Sequence, residues 1–291
     1  MYQYKRKDIL FNSFSNISEF YNYISKTPKR PSADNSSEEN GRGFSGTESL
    51  EEAYNLLLSG DEDLYKKYKG LEKLSIEKIL GNVINRPKQK NDVVGFQANV
   101  PQYLLGLPTN MINQEPKKTS QKVLNIVLSI GVSAYVSKQE IENVGNLYIQ
   151  VLDLLEKAGY RVNLYTLHAV DTYHNEDIYC IVRIKTDREP FNIKKSIFPI
   201  MHPSYLRRVG FRYNEVCEID NISNDFTQSG YGRPITDKKE LRDKLNKILK
   251  IDFIVWRFQQ DFANAGVEKA TKKILKELKE DYGIDVLGEE V

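Results

Sequence analysis

The chain has 291 residues, 40% of them hydrophobic and 28% charged, enough for one large domain or for one main domain with a smaller attachment. Its 42 Lys and Arg nearly balance its 40 Asp and Glu; a net charge of +2 argues against bulk electrostatic capture by DNA or an anionic membrane. No stretch approaches the roughly 20 apolar residues of a membrane span, the basic start Met1–Asp8 leads into no long apolar run, and Cys180 and Cys217 lack metal-ligand spacing; a soluble protein of a reducing cytosol is expected.

Along the first third, Ile9–Phe14 reads as a short strand and Ser15–Ile24 as a helix, with Ile17, Phe20, Tyr21 and Ile24 three and four apart. Residues 26–43 turn to Pro, Ser, Asn, Glu and Gly and read as a flexible linker. Ser49-Leu-Glu-Glu52 is a capping box that opens a helix through Leu58, stopped at Gly60. Further helices are expected over Asp61–Tyr68 and Leu71–Leu80, then one helical turn at Val100–Leu105 with Pro101 at its first position, and a polar connector over Gln114–Lys122. Residues 44–120 thus read as a helical, irregular N-terminal region.

From Val123 the pattern alternates. Val123–Leu128 is a nearly all-apolar strand, as required of one covered on both faces. Ser137-x-x-Glu140 caps a long helix with Ile141, Val144, Leu147, Tyr148, Val151, Leu154 and Leu155 on one face, ending at Gly159. Tyr160–Val170 and Ile178–Lys185 are strands close enough for an antiparallel hairpin. A helix is expected from Pro190 to Met201, a short one after His202-Pro203, a strand over Glu215–Ile219, a Gly-rich loop over Ser229–Pro234, a helix over Asp237–Leu249, a strand over Ile251–Trp256 and an amphipathic helix over Val267–Tyr282. Residues 121–291 therefore read as an α/β unit on a mostly parallel sheet flanked by helices, divided from the N-terminal part near residue 120.

That order of elements resembles a von Willebrand A domain. In that family the loop after the first strand is Asp-x-Ser-x-Ser, part of a divalent-metal site; here the position reads Ser129-Ile-Gly131-Val-Ser133. Only Ser133 matches, and Thr186 and Asp220 stand roughly where the resemblance places the remaining ligands. Mg²⁺ favours carboxylate oxygen, so loss of the leading Asp implies a degenerate site and no bound cofactor. Phe44–Leu57 and Val100–Met111 are similar to stretches of uncharacterised bacteriophage proteins, which implies a phage or prophage origin and a place in the host cytoplasm or the virion.

Two clusters suggest other chemistry. His168, Asp171, His174, Glu176 and Asp177 form the densest group of potential metal ligands, and His168, Asp171 and His174 could converge on one ion, on a strand end and turn where Asp, Asn and His are also ordinary turn formers. Arg207, Arg208 and Arg212 stand beside Tyr205, Phe211 and Tyr213, a combination that grips phosphate and stacks on bases, although a helix with both leading arginines solvated explains the same pattern. The expectation is a non-catalytic protein-binding or assembly protein. It would use the loops at the carboxyl ends of its strands, Ser129–Ser137, Thr186–Pro190 and Asp220–Tyr231. A nucleic-acid-binding accessory factor in phage replication or counter-defence, and a metal-dependent enzyme built on the histidine hairpin, are the alternatives.

Overall fold

A computed structural model describes residues 1–6, 9–31, 33, 35–70, 89–114, 122–171, 177–218, 233–235 and 237–286. In chain order, strands β1 (Tyr2–Arg6) and β2 (Ile9–Phe14) precede helix α1 (Ile17–Lys26), the short turns α2 (Ser36–Glu39) and α3 (Arg42–Ser45), and helices α4 (Leu50–Ser59) and α5 (Glu62–Gly70). A small separate sheet holds β3 (Gln89–Asp92), β4 (Gln97–Ala98) and β5 (Met111–Gln114), with helix α6 (Val100–Leu104) between the last two. Next come β6 (Val123–Ser129), α7 (Lys138–Lys157), β7 (Arg161–Asp171), β8 (Asp177–Lys185) and α8 (Ile193–Met201). A π-helical turn, Tyr205–Gly210, runs straight into α9 (Phe211–Val216). The chain closes with β9 (Arg233–Pro234), α10 (Lys238–Leu249), β10 (Ile254–Arg257), α11 (Gln260–Asn264) and α12 (Val267–Tyr282).

The main sheet runs β1-β2-β8-β7-β6-β10, with β9 beside the end of β7. The end of the sheet formed by β7-β6-β10 is parallel, β2 lies parallel to β8, and β8 returns antiparallel to β7 as the hairpin spacing predicts. The fold is thus the α/β class expected. Because β2 pairs with β8 along its whole length and β1 pairs with β2, residues 2–14 extend the sheet formed by the strands after residue 120.

Alternation of side chains along each strand sorts the core into two faces. On one, Leu124, Ile126 and Leu128 of β6 pack with Val162 and Leu164 of β7 beneath α7 and α12, where the Tyr148 and Trp256 rings stack at 5.1 Å. That face continues across β8 and β2, where Cys180, Val182, Leu10 and Phe14 meet α1, α4 and the π turn. The opposite face, with Phe11, Val127, Leu167, Tyr179 and Ile181, is covered by α10 through Leu241 and Leu245. Helix starts follow their caps: Asn16, Ser49, Ser137 and Asp237 each accept a hydrogen bond from the amide three residues on.

Three expectations change. Glu215 lies in α9, not in a strand, because Tyr205, Val209, Tyr213 and Cys217 recur every four residues and form one buried helical stripe. The last strand begins at Ile254 rather than Ile251. Residues 26–43 are not a free linker: Arg30 N–H donates to the Glu215 carbonyl and Ser37 is fully buried. The helix expected over Leu71–Leu80 lies outside the described residues. No described helix is long and apolar enough to cross a membrane.

Candidate functional site

Open α/β sheets leave a crevice at the carboxyl ends of their strands, where neighbouring connections diverge. Here β6 ends at Ser129, paired with Leu167 on one side and Arg257 on the other. Beyond it lies a cavity of about 50 Å³. Its walls are apolar: Leu128 and Ile130 from the strand exit, Ile141 and Val144 from α7, Ile200 from α8, and Phe258 after β10. The polar side chains that line it are Ser129, Tyr148, His202 and Tyr205, with the Tyr148 hydroxyl donating to the Arg257 carbonyl.

The exit loop is held firmly at both ends. Ile130 N–H donates to the Leu167 carbonyl at 2.9 Å, and the predicted capping box closes on Ser137 and Glu140. A Cβ added at Gly131 would lie 2.9 Å from the Pro234 side chain, so the position where the resembled motif has its first serine is filled from β9. Between these anchors Tyr135 is 98% exposed.

Arg207 holds the far end of this loop. Its guanidinium donates to the Val136 carbonyl at 2.5 Å and to the Phe44 carbonyl at 2.8 Å, and it stacks over the Phe44 ring at 4.2 Å. Arg208, with none of its surface exposed, is more completely enclosed. Its five donors meet the Thr47 hydroxyl and the carbonyls of Ser37, Glu38, Asn40 and Thr47 at 2.6–3.2 Å. Beside this socket Glu215 accepts from the Ser37 amide and hydroxyl, at 2.8 and 2.6 Å, and lies 3.5 Å from Arg212, which donates to the Ile24 carbonyl. The expectation that Arg207 and Arg208 are solvated, or that they grip phosphate, is therefore corrected: both are buried and bonded to this chain. Every residue from Met201 to Gly210 is buried, since the sheet covers one side of the π turn and residues 37–47 cover the other.

Both described histidines are interior groups. His168 points from β7 into the helix-covered face, 3.0 Å from the Asn214 amide oxygen through Nε2, and burial pushes its pKa down to about 4. His202 accepts the Ser204 amide at Nδ1 (3.1 Å), which leaves the proton on Nε2, 4.0 Å from the Asp61 carboxylate. Burial lowers His202 to about 3 and raises Asp61. Neutral at pH 7, with its lone pair occupied, His202 offers the cleft no general base.

The remaining predicted site residues do not converge. Asp171 lies three residues from His168 along β7, hence on the opposite face, and is exposed; His174 and Asp220 lie outside the described residues. Thr186 follows the antiparallel β8 and so sits beside Asn163, whose side-chain oxygen accepts the Asp187 amide. Asn163 pairs with Asn125, four residues before Ser129, which puts Thr186 roughly 13 Å along the strands from the crevice. Among the described residues no three His, Cys, Asp or Glu side chains converge as metal ligands would. The Arg208 socket escapes sequence reasoning because Ser, Asn and Gly in residues 35–47 read as solvated linker; small hydroxyl residues near a paired Arg-Arg were the available signal.

Fold and site together define an α/β protein with an apolar carboxyl-end crevice and with its arginine pair and described histidines built into the interior. The chain belongs to the family described as a domain of unknown function (DUF7192), whose model matches residues 3–284, from β1 through α12. No curated protein and no solved structure matches it.

Proposed function

We propose that the chain is a non-catalytic protein-binding or assembly protein that receives its partner at the carboxyl end of the sheet. What carries this reading is the pairing of an apolar cleft with the almost wholly exposed Tyr135 on a loop fixed at both ends. An exposed aromatic on the anchored loop that also lines an apolar recess has the make-up of a protein contact centre, since Tyr gives large contact area at low cost in conformational freedom. Among the described residues at this end, the cleft histidine has no free lone pair, and the loop carries no carboxylate between Ser129 and Ser137. The resemblance to a von Willebrand A domain with a degenerate metal loop, and to phage proteins, points the same way and suggests a role in the host cytoplasm or a virion.

Affinity capture from expressing or infected cells tests the reading. Wild-type protein is expected to retain a discrete partner that Tyr135→Ala combined with Val132→Glu loses. Turnover of a substrate by the purified protein, or unchanged capture by the double variant, contradicts it. The nucleic-acid alternative would require Arg207 and Arg208 to leave their bonded positions, and no observation favours that.

A further inference from the structure

From Val93 to Gln114 no side chain carries a charge, in a chain where 28% of residues do. This stretch, with β3, forms a small three-stranded arm in the order β3-β5-β4. Its backbone is built with care. Asn99 caps α6 by accepting the Gln102 amide and donates to the Asn91 side chain at 2.9 Å. At Gly95 the chain passes so close to β5 that a Cβ would lie 2.1 Å from the Ile112 carbonyl oxygen, which only glycine allows.

What this framework presents is apolar. Val93, Val94 and Phe96 are 58–70% exposed in and beside the β3–β4 turn. Val100, Tyr103 and Leu104 share one face of α6 at helical spacing, and Leu105 and Leu107 follow, all 42–77% exposed. None of the eight belongs to a buried cluster of the main body, and the arm's strands pack chiefly against one another. So many large apolar side chains exposed within one small arm mark an interaction site.

We infer that the arm pairs with the same arm of a second copy of the chain. Two observations select that occupant. Residues 93–114 carry no charge and the arm's own Lys90 and Asp92 on β3 neutralise one another at 3.3 Å, so the apolar surface is complementary to itself and meets no like-charge repulsion across a twofold axis. The eight side chains together expose on the order of 800 Å², the share each partner gives to a standard specific interface. The remaining exposed large hydrophobics among the described residues are scattered: Met1 and Tyr2 at the terminus, Leu58, Val123 and Tyr135. The inference is independent of the crevice at the carboxyl end of the sheet, because none of the crevice's lining residues lies in the arm.

Sedimentation equilibrium of the full chain across a wide concentration range tests it. The wild type is expected to form a concentration-dependent dimer. Leu104→Asp with Leu105→Asp should weaken self-association by about 100-fold or more, with unchanged thermal unfolding because both side chains are exposed. Tyr103→Lys provides an independent second variant expected to act in the same direction. A wild type that stays monomeric up to hundreds of micromolar overturns the inference, as does arm-dependent binding of monomers to phosphatidylcholine vesicles or to a different captured protein. A dimer that all these variants leave intact overturns it equally.

Discussion

The π turn and the small three-stranded arm invert the usual distribution of residue types. At the π turn, arginine, glutamate and histidine are inside: Arg208 and Glu215 expose nothing and His202 only 8% of its surface. In the arm, leucine, valine, phenylalanine and tyrosine are outside, with Leu104 77% exposed. The difference shows that residue chemistry alone misassigns both. The buried cation is tolerable because all five of its donors are bonded within the protein, and the exposed apolar set is held in place by Asn99 and Gly95.

If this contrast holds, the largest single effect should come from Arg208. Arg208→Ala strands several buried carbonyls without donors and should cost about 3 kcal/mol or more in urea unfolding. Arg208→Lys should recover little, since a point charge with three donors cannot reproduce the planar fork. Stability within a few tenths of a kcal/mol of wild type would mean the guanidinium is not locked in.

The next effect is pH-dependent. His168 and His202 have folded pKa values of about 4 and about 3, below the ordinary 6.5. The unfolded chain therefore takes up protons near pH 6.5 that the folded chain refuses. Stability is full above that point and falls as pH drops from 6.5 toward 4. Between pH 7 and 5 the loss should be about 2 kcal/mol per histidine, read from urea midpoints. Unchanged midpoints across that window would place both rings in contact with water.

Much of this molecule is legible in its sequence. The β6–α7–β7–β8 succession follows from an all-apolar run, a capping box at Ser137 and a hairpin-length turn. The position of the crevice follows from β6 alone. The Arg208 socket does not, because it joins residues some 160–170 apart whose local signals, Ser37, Asn40 and Thr47, match those of a solvated loop. Thr186 misled for a related reason: its place depends on β8 running antiparallel, which puts it at the opposite end of the strands from Ser129. The arm's exposure is likewise a tertiary property, since apolar residues at helical spacing ordinarily signify a buried face.

Smaller effects sharpen the contrast from the arm's side. Gly95→Ala forces a clash with the Ile112 carbonyl and should speed proteolysis within residues 89–114, while the global melting temperature stays put because, among the described residues, the arm contributes to no core cluster of the main sheet. A matching fall in global stability would show the two regions to be one cooperative unit. Smallest of all, Tyr135→Ala should change unfolding free energy by no more than about 0.5 kcal/mol while weakening partner capture, a separation that a structural role for the ring would not produce.

Hydrogen exchange on the native protein tests most directly whether the polar residues around the π turn are internal architecture. The amides of Ser37, Ser45 and Gly46, each bonded within the protein, should exchange as slowly as those of β6 and β7. Exchange of these amides within seconds would contradict the account, because it would return residues 35–47 to a free linker and Arg207 and Arg208 to the solvent.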